Sequence, residues 1–236
     1  ASPTEAGFLM LPMVAGMMTA TIVSGRIMSS TGKYRIFFNT GTAVLFFGYL
    51  FMLLMLNAAT PIWVVSIGMI LIGLGLGQLM QTTMVASQNS VDAKDIGVAT
   101  SSATFFRQMG GTLGVAVFMS ILFGQVADKI GEAFKREDVL QGLASATSDP
   151  AVAADPNNQS ILDVLASGPG AAEQITLDSS FLIDADDRLT LPFRIGFIES
   201  SLSVFLVAIF FVAAAFVISW FIKEIPLRDK SASQEA

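Results

Sequence analysis

Two groups of side chains in this sequence have the types and spacing to do work. The first is cationic. Gly25-Arg26-Ile27-Met28-Ser29-Ser30-Thr31-Gly32-Lys33-Tyr34-Arg35 gathers Arg26, Lys33 and Arg35 into one short polar connection punctuated by Gly25 and Gly32. The second is a row of hydrogen-bonding groups, Gln78, Gln81, Thr82 and Thr83, inside a tract without charge, followed by Arg107 and Gln108 in the next apolar run. Such groups bind and orient a ligand or a neighbouring helix; they do not break bonds. The sequence has no histidine and no cysteine, which removes the usual base, the usual proton relay and the usual zinc and thiol ligands. No pair of carboxylates falls within an apolar run. No catalytic residue, cofactor or metal site is expected, and an enzyme is a remote reading.

The elements that position these groups follow from composition. Of 236 residues, 53% are hydrophobic and only 14% charged, against about 25% charged in a soluble domain. About 20 apolar residues cross a bilayer core, and five stretches reach that length. Span A runs from Ala6 to Gly25, with Pro12 inside it. The tract Ile36–Val91 is too long for one helix, and the turn signal Asn57-Ala58-Ala59-Thr60-Pro61 splits it into span B (Ile36–Leu56) and span C (Ile62–Val85). Ser87-Gln88-Asn89-Ser90-Val91-Asp92-Ala93-Lys94-Asp95 connects C to span D (Gly97–Ala127), and span E covers Pro192–Ile222. The expected fold class is therefore all-α, a polytopic membrane helical bundle. Its parts are helices A–D in residues 1–127, an acidic loop over 128–190, the last transmembrane helix over 191–222 and a tail over 223–236.

Orientation follows from the distribution of Lys and Arg. The A–B loop and the tail (Lys223, Arg228, Lys230) are basic and the B–C turn is not. The A–B loop, the C–D loop and the C-terminus are thus expected in the cytoplasm, and 128–190 outside. Val126, Ile130 and Phe134 recur at i+4, which extends span D as an amphipathic helix. Ser160–Leu165 is a second, short helix ended by Gly168-Pro169-Gly170. The segment reads either as a partly ordered, solvated cap or as a surface for a partner. The chain opens at Ala1-Ser2-Pro3 without an initiator Met, as a piece of a longer protein would.

Alternatives stand at the individual residues. Arg26, Lys33 and Arg35 suit an ordinary interfacial turn that meets anionic lipid. Gln78, Gln81 and Thr82 either line a path or bond to neighbouring helices; Met80 and Met84 offer a soft wall for varied apolar ligands, or plain packing. Gly73, Gly75 and Gly77 read as backbone packing. Charge within a bilayer is costly unless paired or wet, so Arg107 sits either at the cytoplasmic interface or in a cavity with an acidic partner from elsewhere. Glu199 reads as an outer-interface residue beside Arg194 or as a coupling carboxylate. Phe205, Phe210, Phe211, Phe216, Trp220 and Phe221 give span E a lipid-facing character.

One spacing is more specific. Gly-Arg, five residues, then Gly-Lys-x-Arg between two spans resembles the A-type cytoplasmic loop motif of the major facilitator superfamily, in its second-half copy. The usual acidic residue before the second glycine is absent, with Ile27-Met28-Ser29-Ser30-Thr31 in its place. Ser2-Pro3-Thr4-Glu5-Ala6-Gly7 with Leu11-Pro12, Gly73-Leu74-Gly75-Leu76-Gly77, Gly97-Val98-Ala99-Thr100, Phe106 to Ala116 and Ile225-Pro226-Leu227-Arg228 resemble the fourteen-helix drug-exporter branch (EmrB/QacA type). The resemblance implies the C-terminal half of a transporter, with about five helices of its bundle and the N-terminal half missing. It implies a cytoplasmic gate at Gly25, Arg26, Gly32, Lys33, Arg35 and Arg107 and a substrate path at Gln78, Gln81, Thr82 and Gln108. It further implies proton-driven multidrug efflux across the cell membrane of a small amphipathic or cationic substrate. Export of a lipid, siderophore or metabolite fits the same fold. A membrane anchor or receptor displaying the acidic loop is the reading from another class. The lipid bilayer is the expected surrounding, and nucleic acid is not an expected partner.

Overall fold

Asn57 to Pro61 make the turn that divides the longest apolar tract. The Asn57 side chain accepts from Ala59 N at 2.9 Å, and the Thr60 hydroxyl accepts from Asn57 N and donates to the Met55 carbonyl, both at 2.7 Å. Pro61, at φ −65° and ψ 146°, then stands just ahead of the next helix. The computed structural model describes residues 3–166, 182 and 185–225, and every regular element among them is helical. In chain order these are α1 (Pro3–Thr31), α2 (Arg35–Met55), α3 (Ile62–Asn89), a 3₁₀ turn (Ala93–Asp95), α4 (Ile96–Ala133), α5 (Glu137–Thr147), α6 (Pro150–Ala154), α7 (Pro156–Ala166) and α8 (Asp187–Ser219). Five are long and apolar enough to cross a membrane: α1, α2, α3, α4 and α8. The protein is a multi-pass membrane helical bundle.

Several ends differ from the hydropathy reading. The connection after α1 shrinks to Gly32, Lys33 and Tyr34, because Arg26–Thr31 are helical. Their polar side chains satisfy themselves inside the helix: Ser29, Ser30 and Thr31 hydroxyls donate to the carbonyls of Arg26, Ile27 and Ile27 at 2.8, 3.0 and 2.7 Å. Gly32 then stops the helix at φ 70°, its N–H donating to the Met28 carbonyl at 2.9 Å, the left-handed terminator that glycine adopts without penalty. Likewise α3 runs to Asn89 and absorbs the first residues of the C–D connection; α8 begins at Asp187 and ends at Ser219. By contrast α4 continues past Ala127 to Ala133, the extension that the i+4 stripe of Val126, Ile130 and Phe134 implies. The Gly168-Pro169-Gly170 terminator and the tail beyond Ile225 lie outside the described residues.

Among the described residues the chain forms two compact units, one of Gly7–Leu54, Pro61–Val115 and 205–225, the other of 3–6, Met55–Thr60 and the described part of 116–204. In the first, α3 is clasped by its neighbours. A Cβ on Gly73 or Gly77 would run into the Met13 or Met17 carbonyl of α1; one on Gly75 would lie 2.8 Å from Leu45 Cβ of α2. Small residues let backbones meet where lipid supplies no hydrophobic drive. Large apolar side chains point outward, Phe210, Phe211, Trp220 and Phe221 among them, whereas Phe205 packs its ring on Tyr49.

The second unit is a folded cap with its own core. Val126, Ile130, Ala146, Val152, Ile161, Leu189 and Phe193 are buried together, and Phe134 meets Phe193 edge-on at 5.5 Å. The i+4 stripe read from Val126, Ile130 and Phe134 is thus the side of α4 that joins this core. Two Asp-Pro pairs start α6 and α7: Asp149 accepts from Ala151 N at 3.0 Å and Asp155 from Asn157 N at 2.9 Å, with proline at the position that needs no N–H. Buried Asn158 ties the core to α8's entry, donating to the Val152 carbonyl (2.9 Å) and accepting from Asp186 N (2.8 Å). Both α5 and α6 were invisible to the hydropathy reading.

Candidate functional site

Inside the first unit, α1, α3 and α4 line an open cavity of about 440 Å³ formed by Met17, Met18, Thr21, Ile22, Met80, Gln81, Met84 and Arg107. Its α1 residues lie at the middle of the Gly7–Thr31 apolar stretch, and Arg107 stands about 16 Å along α4 from Ile96. Arg107 lines this cleft while remaining exposed, and no carboxylate among the described residues pairs with it. Gln81 offers its amide beside it. Met80 and Met84 form the soft wall that their sequence positions allowed, and Met17 and Met18 double it.

The other predicted path residues lie elsewhere. Gln78 accepts from the Thr40 hydroxyl of α2 at 2.8 Å and so spends its side chain on helix packing. Thr82 is fully buried, with its hydroxyl donating to the Gln78 carbonyl at 2.6 Å. Gln108 is exposed and outside the cavity lining. The contributions of α1 went unread because Thr21 is the sole polar group there; its hydroxyl donates to the Met17 carbonyl (2.8 Å) and the Gly77 carbonyl (3.2 Å). The signal was a threonine one turn before Gly25, facing the same way as the glycine.

The basic loop has a distinct geometry. A Cβ on Gly25 would sit 3.4 Å from Gln81 Nε2, so the start of the motif abuts the cavity. At its other end, Arg35 Nη2 donates to the Trp220 carbonyl at 2.7 Å, a cation on the unsatisfied end of α8. Buried Tyr34 accepts from Ile225 N at 3.0 Å and donates to the Lys223 carbonyl at 3.3 Å, and Asn89 donates to the Ile225 carbonyl at 2.9 Å. Tyr34 and Asn89 hold the segment after α8, a clamp that the charge pattern alone did not reveal. Arg26 and Lys33 are exposed.

In the cap, Glu199 faces Lys129 at 3.7 Å and Arg136 at 3.9 Å, while Arg194 goes to Asp187 and to the Ala58 carbonyl, both at 3.0 Å. Arg136 also grips Asp138 through two nitrogens and holds that carboxyl below its ordinary range. Asp186 is held down in the same way by Arg188, at 2.9 Å.

Known proteins resemble this chain over most of its length. A tetracycline resistance determinant of Streptomyces rimosus is 31% identical over 189 residues, 80% of this chain and 52% of its own. A multidrug transporter protein of Bacillus subtilis is 30% identical over 192 residues, 80% of this chain and 34% of its own. An uncharacterized MFS-type transporter of Mycobacterium tuberculosis is 28% identical over 170 residues, 72% of this chain and 20% of its own. The chain thus spans about half the length of the first of these and about a third of the second. No family model and no solved structure matches it. With five apolar helices, an A-type loop between the first two and these relatives, the chain belongs to the major facilitator superfamily.

Proposed function

We propose that the chain is the C-terminal helical half of a secondary active transporter that exports small amphipathic molecules from the cell by alternating access. The observation that carries this is the cavity: four methionines, Ile22, Gln81, Thr21 and Arg107, shared among three membrane-spanning helices. Methionine adapts its shape to varied apolar bodies, and an open cavity shared by several helices is a surface that a second bundle can close over, as alternating access requires. The relatives' names, a tetracycline resistance determinant and a multidrug transporter, support export of foreign compounds. Gly25, Arg26, Gly32, Lys33 and Arg35 act as the cytoplasmic gate, in which Arg35 and Tyr34 fix the end of α8. Proton coupling then falls to a carboxylate outside this chain, since no Asp or Glu occurs in 7–91 or 96–127.

Expression of the full-length protein in cells stripped of their own exporters tests this. Accumulation of fluorescent amphipathic compounds should fall several-fold, and a protonophore should restore it. A full-length variant Met84→Trp, which fills the cavity, should accumulate them like cells without the protein. Unaltered accumulation with the wild type would remove the export reading.

A further inference from the structure

Arg107 raises a question that amphipathic binding alone does not answer: what neutralises it. Guanidinium stays charged at any physiological pH, and Arg107 is exposed on the wall of the cleft, where a ligand's counter-charge can reach it. The cavity lining supplies no acid, and no Asp or Glu lies in 7–91 or 96–127. Polar lining is dominated by donors. Arg107 contributes five N–H groups, and Gln81 contributes an amide that makes no hydrogen bond among the described residues, unlike Gln78, whose amide is engaged by Thr40 and the Leu74 carbonyl. Apolar lining makes up the rest.

We propose that the cavity selects small amphipathic anions, with Arg107 as the charge partner of a carboxylate, sulfonate or phosphate and Gln81 donating a second hydrogen bond. The four methionines receive the apolar body. This rests on the cavity being the substrate path, and it replaces the expectation of a cationic substrate with its opposite. A cation there would meet the like charge of Arg107 with no acid in the lining to offset it. An anion gains charge-assisted hydrogen bonds, which are roughly twice as strong as neutral ones.

Binding of three ligands that share one body and differ in charge tests the proposal: pyrenebutyrate, its methyl ester and pyrenebutylamine. The full-length protein is placed in phosphatidylcholine nanodiscs, binding is taken as the fluorescence change above that of empty nanodiscs, and Met84→Trp should abolish it. The acid should bind tightest and the amine weakest. Arg107→Gln should weaken the acid about tenfold or more while leaving the ester within twofold; Arg107→Lys should keep most of the preference. If the amine binds as well as the acid, or Arg107→Gln weakens all three alike, the anion assignment is wrong while the cavity stands. If Met84→Trp binds all three as the wild type does, the cavity is not the path and both readings fall. Added phosphatidylglycerol should not displace pyrenebutyrate; displacement would make the partner a lipid headgroup and overturn the small-molecule assignment.

Discussion

Tyr34 shows how much one hydroxyl does at the end of a helix. It accepts from Ile225 N and donates to the Lys223 carbonyl from a buried position, so Tyr34→Phe leaves two backbone groups without a partner. A neutral hydrogen bond is worth about 0.5–1.5 kcal/mol net, which corresponds to roughly two- to tenfold faster amide exchange at Ile225. Exchange mass spectrometry on the segment following α8 measures this, and unchanged protection there would discount the clamp. Asp186 supplies a pH dependence. Its carboxyl is lowered, first by the Arg188 side chain and also by the Arg188 backbone N–H, so its stabilising effect is complete above the ordinary carboxylate range of about 3.9. It is lost as pH falls through the lower, folded value. Cap unfolding should therefore become easier below about pH 4, and Asp186→Asn should flatten that acid limb; an identical acid limb in the variant would count against the pairing.

At the scale of elements, hydropathy alone located all five spans because bilayer thickness fixes their length. It missed their ends, since Ser29, Ser30 and Thr31 stay helical by bonding back to the preceding turn, an event invisible to a scale that scores them as polar. The cap's core was illegible for another reason: Val152, Ile161 and Phe193 meet only through contacts distant in sequence, and α5 and α6 are too short to show a period. The candidate site was half legible. Gln81, Met80, Met84 and Arg107 stood out as polar or polarisable groups in apolar runs, but which face each helix turned inward was not readable for Gln78 and Thr82. Packing predictions follow. Gly73→Ala drives a methyl into the Met13 carbonyl and should separate α1 from α3, with loss of monodisperse protein on gel filtration in detergent. Gly142→Ala, in α5 with nothing within 4 Å of its added carbon, should instead stabilise the cap by about 0.5–1 kcal/mol. Ile130→Ala should cost it about 2–5 kcal/mol. Equal melting curves for these two cap variants would contradict the packing described for Ile130.

For the whole molecule, the decisive quantity is which side of the membrane each connection faces. Arg26, Lys33 and Arg35 lie in or beside the α1–α2 connection, while the α2–α3 turn carries no charged residue; the Lys/Arg bias near helix ends sets orientation. The absence of cysteine makes the test clean once any cysteines elsewhere in the full-length protein are removed. Lys33 and Ser145 are both exposed, so neither Lys33→Cys nor Ser145→Cys should perturb packing. A membrane-impermeant maleimide applied to intact cells should label Ser145→Cys in α5 and leave Lys33→Cys untouched until the membrane is opened. The reverse pattern would place the basic loop outside, where Arg35 and Tyr34 could not serve a cytoplasmic gate, and the export direction proposed above would have to be inverted with it. Labelling at both positions in intact cells would mean that α2, α3 and α4 do not cross alternately, and the five-span topology would fall with it.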